Sequence, residues 1–438
     1  MKSFALPDSL DVLYGLDGPF MLSTDETGGH VAYLDFTDTL TLDAAYPEDG
    51  VARLAAPAAP TGLTFSGWTG FFGYEFLASL LEVPLSAPRD LDLPDGFFAR
   101  PSTLIRLGDG KVIVESVDPA REDELAHLLS KVSVPDSSAP APTAAITCNL
   151  SFENYKETFA RAKEAILDGD TYQIKLSQRH EVRADLDPVT AFRRLHAANP
   201  SPEAFLLKHQ DFALASCSPE IVIDACGDRI VTRPIGGTYE RQQGEDRKAV
   251  VARFLSDPKE VAEHNMLVDL ERNDLSAVCR PGSVRIARFR EVETYAHLHH
   301  FVSTIEGSLK PDAGLLQILR ALLPGGTITG CPKVRTIELI DSLEPSFRGP
   351  YTGSFGVIAD NSDIRLNLII RTLLFKGGAC YAQAGGGIVV DSTPEYEYRE
   401  NALKAQALLE LFRRPEALET TSEHSSYPSS AQAPLRSA

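Results

Sequence analysis

The order of strand-like runs constrains this chain most. Segments such as His30–Phe36, Leu104–Val114, Thr171–Arg179 and Ile364–Phe375 are apolar and broken by Gly and Pro, and helices do not alternate with them regularly. A doubly wound parallel sheet needs a helical crossover after each strand, so this order predicts an α+β fold with antiparallel sheets. Helical patterns are still present. Ser151 can cap a helix that carries Tyr155, Phe159, Ala162 and Ile166 on one face and stops at Gly169. Val261–Leu275 reads as a helix behind Pro258, Pro332–Leu343 as another, and Pro394–Phe412 as a third, long one. Lys376-Gly377-Gly378-Ala379 reads as a hairpin turn.

A Pro/Ser/Ala-rich stretch divides the chain into a β-rich region over 1–134, a linker over 135–145, a larger body over 146–415 and a polar, disordered tail over 416–438. The net charge of −19 repels a nucleic-acid backbone or an anionic membrane. An anionic substrate would therefore require positive groups or a metal in its site. Six cysteines without a CxxC pair read as reduced thiols rather than disulfides or zinc ligands. No signal-peptide core and no apolar run of about 18 residues is seen, which points to a cytoplasmic protein.

Two helices carry acidic pairs at i,i+3 spacing: Glu260 with Glu263, and Glu397 with Glu400, followed by Lys404 one turn on. Each pair shares a face. Either both faces are solvated, or they meet and form a hard oxygen site suited to Mg²⁺. Gly385, Gly386 and Gly387 are expected between a strand and the second acidic helix, where backbone N–H groups could approach an anion. Arg371 sits in an apolar run, LIIRTLL, and needs either an internal acid or a ligand carboxylate. Glu220 ends the run FALASCSPE, an apolar setting that would raise its pKa and suit a general acid.

Read together, TYQIKLSQR, SCSPE, TRPIGGTYER, EHNMLVDLERND, HLHHFVS, GGTITGCPKVRTIELI, RGPYTGSFG, IIRT and AGGGIVVDSTPEYEYRENALKA resemble, in order, the chorismate-utilising enzymes. That family includes the large subunits of anthranilate synthase and aminodeoxychorismate synthase, with isochorismate and salicylate synthases. The resemblance covers about residues 150–410. It implies two large antiparallel sheets packed face to face with helices outside. It also implies a chorismate-binding catalytic body using Mg²⁺. Glu263 and Glu400 match the family's metal ligands, and Glu260 and Glu397 its water-mediated outer carboxylates. Glu220 matches the acid that protonates the leaving hydroxyl at C4. Arg371 and Tyr351 match the grip on the enolpyruvyl carboxylate, helped by backbone N–H groups near Gly386 and Gly387. Thr238, His300 and Lys404 match other pocket positions.

Family members that add water resemble one another in having lysine where this chain has Gln173. An amide cannot take a proton from water, so the chain reads as an ammonia user, with Lys175 two residues on and on the same strand face. No G-x-C-x-G elbow is present, so the resemblance implies a separate glutamine amidotransferase subunit as the ammonia source. GGTITGCPK, HHFVSTIEG and AGGGIVVDS resemble aminodeoxychorismate synthases; PIGGT, with Gly236 where many of those carry lysine, stands closer to anthranilate synthases. The expected product is 4-amino-4-deoxychorismate, with anthranilate as the alternative.

Overall fold

The computed structural model describes residues 1–412 apart from 26, 135–144, 241–243, 245 and 295–297. The expected linker, save Ala145, and the expected tail lie outside the described residues. Every ladder among the described strands is antiparallel.

Two layers result. One runs, by neighbouring strands, through Gln173–Val182, Ala379–Ile388, Thr372–Lys376, Phe212–Ser218, Glu203–Lys208, Phe20–Thr24 and His30–Leu42. The other runs through Gly96–Gly108, Gly67–Phe72, Ser354–Ala359, Ile364–Leu368, Ile221–Cys226, Arg229–Thr232 and Leu298–Ser308. The two 13-residue strands, His30–Leu42 and Gly96–Gly108, pair with each other and join the layers. Between the faces lies a shared core in which Met21, Tyr33, Phe205 and Leu214 meet Phe71, Phe97 and Phe355. Phe205 stacks on Phe355 with ring centroids 4.0 Å apart. This is the α+β arrangement expected.

Helices cover the outer faces. Phe152–Leu167, capped by Ser151, and Lys333–Leu343 pack on Ile174, Leu176 and Ile388. Pro258–Val278 starts where Asp257 accepts from the N–H groups of Lys259 and Glu260, and it packs through Val268, Leu275 and Val278. Pro394–Leu409 lies against the strand Ala379–Ile388.

Two local expectations are corrected. Ile364–Phe375 is not one strand: the chain breaks at 369–371, and Arg371 takes φ 49, a left-handed backbone that no ladder accommodates. The glycines of Ala384–Gly387 are not in an open loop. They lie inside the strand Ala379–Ile388, Gly385, Gly386 and Gly387 facing Ser177, Leu176 and Lys175. The hairpin forms as read, with Gly377 at φ 61 and Gly378 at φ 76, the pair of left-handed residues that suits a two-residue turn.

Candidate active site

The strand Gln173–Val182 forms the floor. Ile174 and Leu176 face the helices, so Gln173 and Lys175 project to the opposite side. Lys175 is clamped by its backbone: its N–H donates to the Thr329 carbonyl at 2.9 Å, and its carbonyl accepts from Arg348 Nη2 at 2.7 Å. Arg348 is buried and holds Glu344 in a two-pronged pair at 2.7 and 2.9 Å. Ser177 donates to that same Glu344 through N–H and hydroxyl, which ties the floor strand to the helix Lys333–Leu343.

The glycine run leaves room for side chains. A Cβ on Gly387 would meet Gln173 Nε2 at 2.3 Å, and one on Gly385 would meet the Tyr351 hydroxyl at 3.0 Å. A Cβ on Gly386 would meet Asn401 Oδ1 at 2.8 Å and Glu397 Oε2 at 3.1 Å. Gln173 is buried, and its Nε2 has no hydrogen-bond partner.

Glu220 sits between the strands Phe212–Ser218 and Ile221–Cys226, held where its carbonyl accepts from Leu368 N–H at 2.9 Å. Burial raises its carboxyl to a pKa of about 7, against the pull of Lys175, a hydroxyl from Thr327 at 3.4 Å and Arg371. Behind it, burial and then Asp274 push Glu271 to about 8, although Thr232 donates to it at 2.9 Å. Arg371 also faces His300, whose ring is buried and pushed down to about 4, first by desolvation and then by that guanidinium. His300 therefore stays neutral near pH 7. It stands opposite Thr238 in the ladder; the side chain of Thr238 lies outside the described residues.

The acidic helices converge. Burial, then the neighbouring Glu263 and Asp257, raise Glu260, and Glu400 adds to the rise from the other helix. Lys259 Nζ lies 4.8 Å from the ring centroid of Tyr396, bridging the two helices. Glu397 is buried and accepts from Ser392 at 2.7 Å; burial raises its pKa. Glu400 pairs with Lys404 at 2.5 Å, and Lys404 also donates to the Gly385 carbonyl at 3.3 Å. Among the described residues no three His, Cys, Asp or Glu side chains are close enough to ligate a cation together. The donor chemistry nonetheless fits a hard divalent ion: four carboxylates on two facing helices, two of them raised by burial and mutual repulsion.

Lys175, Glu220, Glu263, Glu400 and Lys404 thus form one electrostatic cluster, with Arg371 beside Glu220. Sequence reasoning missed Thr327, Glu271, Arg348 and Asn401, whose parts depend on contacts between distant segments. It also missed His264. A Cβ on Gly236 would meet His264 Nδ1 at 2.3 Å, so a buried imidazole occupies the space of any side chain there.

Comparison with known proteins agrees with this geometry. The family model for chorismate binding enzymes matches residues 19–410. Anthranilate synthase component 1 of Thermus thermophilus is 38% identical over 363 residues, covering 81% of this chain and 79% of that protein. Aminodeoxychorismate synthase component 1 of Bacillus subtilis is 35% identical over 356 residues, covering 78% and 76%. The structure of anthranilate synthase component I from Streptococcus pneumoniae superposes with a TM-score of 0.74 at 27% identity, covering 93% of this chain and 91% of that one. The chain belongs to the chorismate-binding enzyme family.

Proposed function

We propose that the chain is the synthase subunit of an aminodeoxychorismate synthase, converting chorismate and ammonia to 4-amino-4-deoxychorismate and water. The observation that carries the ammonia reading is Gln173. Its buried carboxamide faces the cluster where a water-adding enzyme needs a base, and an amide cannot serve as one. Ammonia brings its own lone pair. A separate glutamine amidotransferase subunit is its source in this reading.

Glu220 is the group that gives a proton to the leaving hydroxyl, because a carboxyl with pKa about 7 is half protonated at neutral pH. Arg371 and Tyr351 orient the enolpyruvyl carboxylate beside Gly385, Gly386 and Gly387. His300, neutral, lines the same pocket with Thr238 and Lys404. Glu263 and Glu400 would hold Mg²⁺, with Glu260 and Glu397 supporting them through water. The ion would supply positive charge to the ring carboxylate and to the departing hydroxyl. The protein would act in the cytoplasm.

One observation favours anthranilate as a second product. His264 against Gly236 leaves no room for a lysine at that position, so ammonia itself would add at C2. Incubation with chorismate, Mg²⁺ and concentrated ammonium salt decides. The reading predicts a product that yields p-aminobenzoate once a lyase is added. Fluorescent anthranilate formed without a lyase would establish the second product, and unchanged chorismate would refute both.

A further inference from the structure

The reaction as described gives no task to Lys175. Its strand position places it directly opposite Gly387, which has no side chain to compete for the space above the ladder. There its ammonium, disfavoured by burial and by Lys404, is attracted by Glu263, Glu220 and Glu400. Its partners respond in kind. Glu400 lies below its ordinary pKa although burial pushes it up, because Lys404 and then Lys175 outweigh the burial. Two lysines thus answer the charge of carboxylates that a divalent ion would otherwise neutralise.

We propose that Lys175 is the internal counter-ion of the carboxylate cluster, balancing Glu263 and Glu400 until a divalent cation takes them and then turning its charge to the carboxylate of the substrate. This rests on the function proposed above. An ammonium and Mg²⁺ compete for the same oxygens. Once the ion is bound, the two cations repel, and a dianionic substrate offers the ammonium a new partner. Lys175 therefore couples the two binding events: it opposes the metal alone and favours the substrate afterwards. No proton transfer is asked of it.

The test is Mg²⁺ titration by calorimetry without chorismate, followed by steady-state kinetics, for the full chain and for Lys175→Met, Lys175→Gln and Lys175→Arg. Lys175→Met and Lys175→Gln are expected to bind Mg²⁺ about tenfold tighter, and to raise the KM for chorismate about tenfold, more than kcat falls. Lys175→Arg, which keeps the charge, is expected to stay near the parent in both. Melting curves show which variants fold, and either neutral variant suffices. Unchanged or weaker Mg²⁺ binding in a folded neutral variant would overturn the proposal, as would an unchanged KM. A parent that binds Mg²⁺ but consumes no chorismate would sink the proposed function instead, while the titration would still decide whether Lys175 opposes the metal.

Discussion

Glu220 has its character from its neighbours. The apolar run before it was legible in the sequence, and burial does raise the carboxyl to about 7; the compensating Lys175 and Thr327 come from strands far away in the chain. If Glu220 is the acid, activity falls as pH rises through about 7, because the proton is then lost. Glu220→Gln should lower kcat about 10²–10⁴-fold and remove that limb, read from a pH–rate profile. Glu271 makes a separate prediction about stability. Its folded pKa of about 8 lies above the ordinary 4.5, so its contribution is fully present below about 4.5 and is lost as pH rises through about 8. Glu271→Gln keeps an acceptor for Thr232 and should raise the melting temperature by about 2 °C or more at pH 9, with much less effect at pH 5. His264 shows where residue-level reading stops. Nothing in PIGGT announces an imidazole 28 positions on, because that contact depends on how the helix Pro258–Val278 lies over its neighbouring strand.

At the scale of elements, helical spacing was the most informative signal. Glu260 with Glu263 and Glu397 with Glu400 were assigned to shared faces from i,i+3 spacing alone, and both helices form. Whether those faces meet was not readable from either helix, since convergence depends on the sheet that carries the second one. The glycine run was misjudged for a related reason. Glycines suggest a loop, but here extended backbone needs them so that Gln173, Glu397 and Tyr351 can stand against it. Gly387→Ala should therefore displace Gln173 and cost about 1–3 kcal/mol, measured by denaturant unfolding. Gln173→Lys should admit water as nucleophile; complete absence of hydroxylated product from chorismate would count against this reading of the floor strand.

For the whole molecule, antiparallel sheets were legible because helices fail to follow strands in turn. The joining of the layers by two 13-residue strands was not, since length alone does not say that a strand serves two sheets. The core between the layers depends on close aromatic contact, and Phe355→Ala should cost roughly 3–5 kcal/mol while leaving the KM for chorismate nearly unchanged. The central claim is that two carboxylate-bearing helices act together on one divalent ion and one substrate. Chorismate consumption as a function of Mg²⁺, compared for the parent, Glu263→Gln and Glu400→Gln, tests it most directly. The account predicts saturable Mg²⁺-dependent turnover in the parent and a loss of about 100-fold or more in each variant, with folding preserved by circular dichroism. Parental turnover in either variant would contradict it.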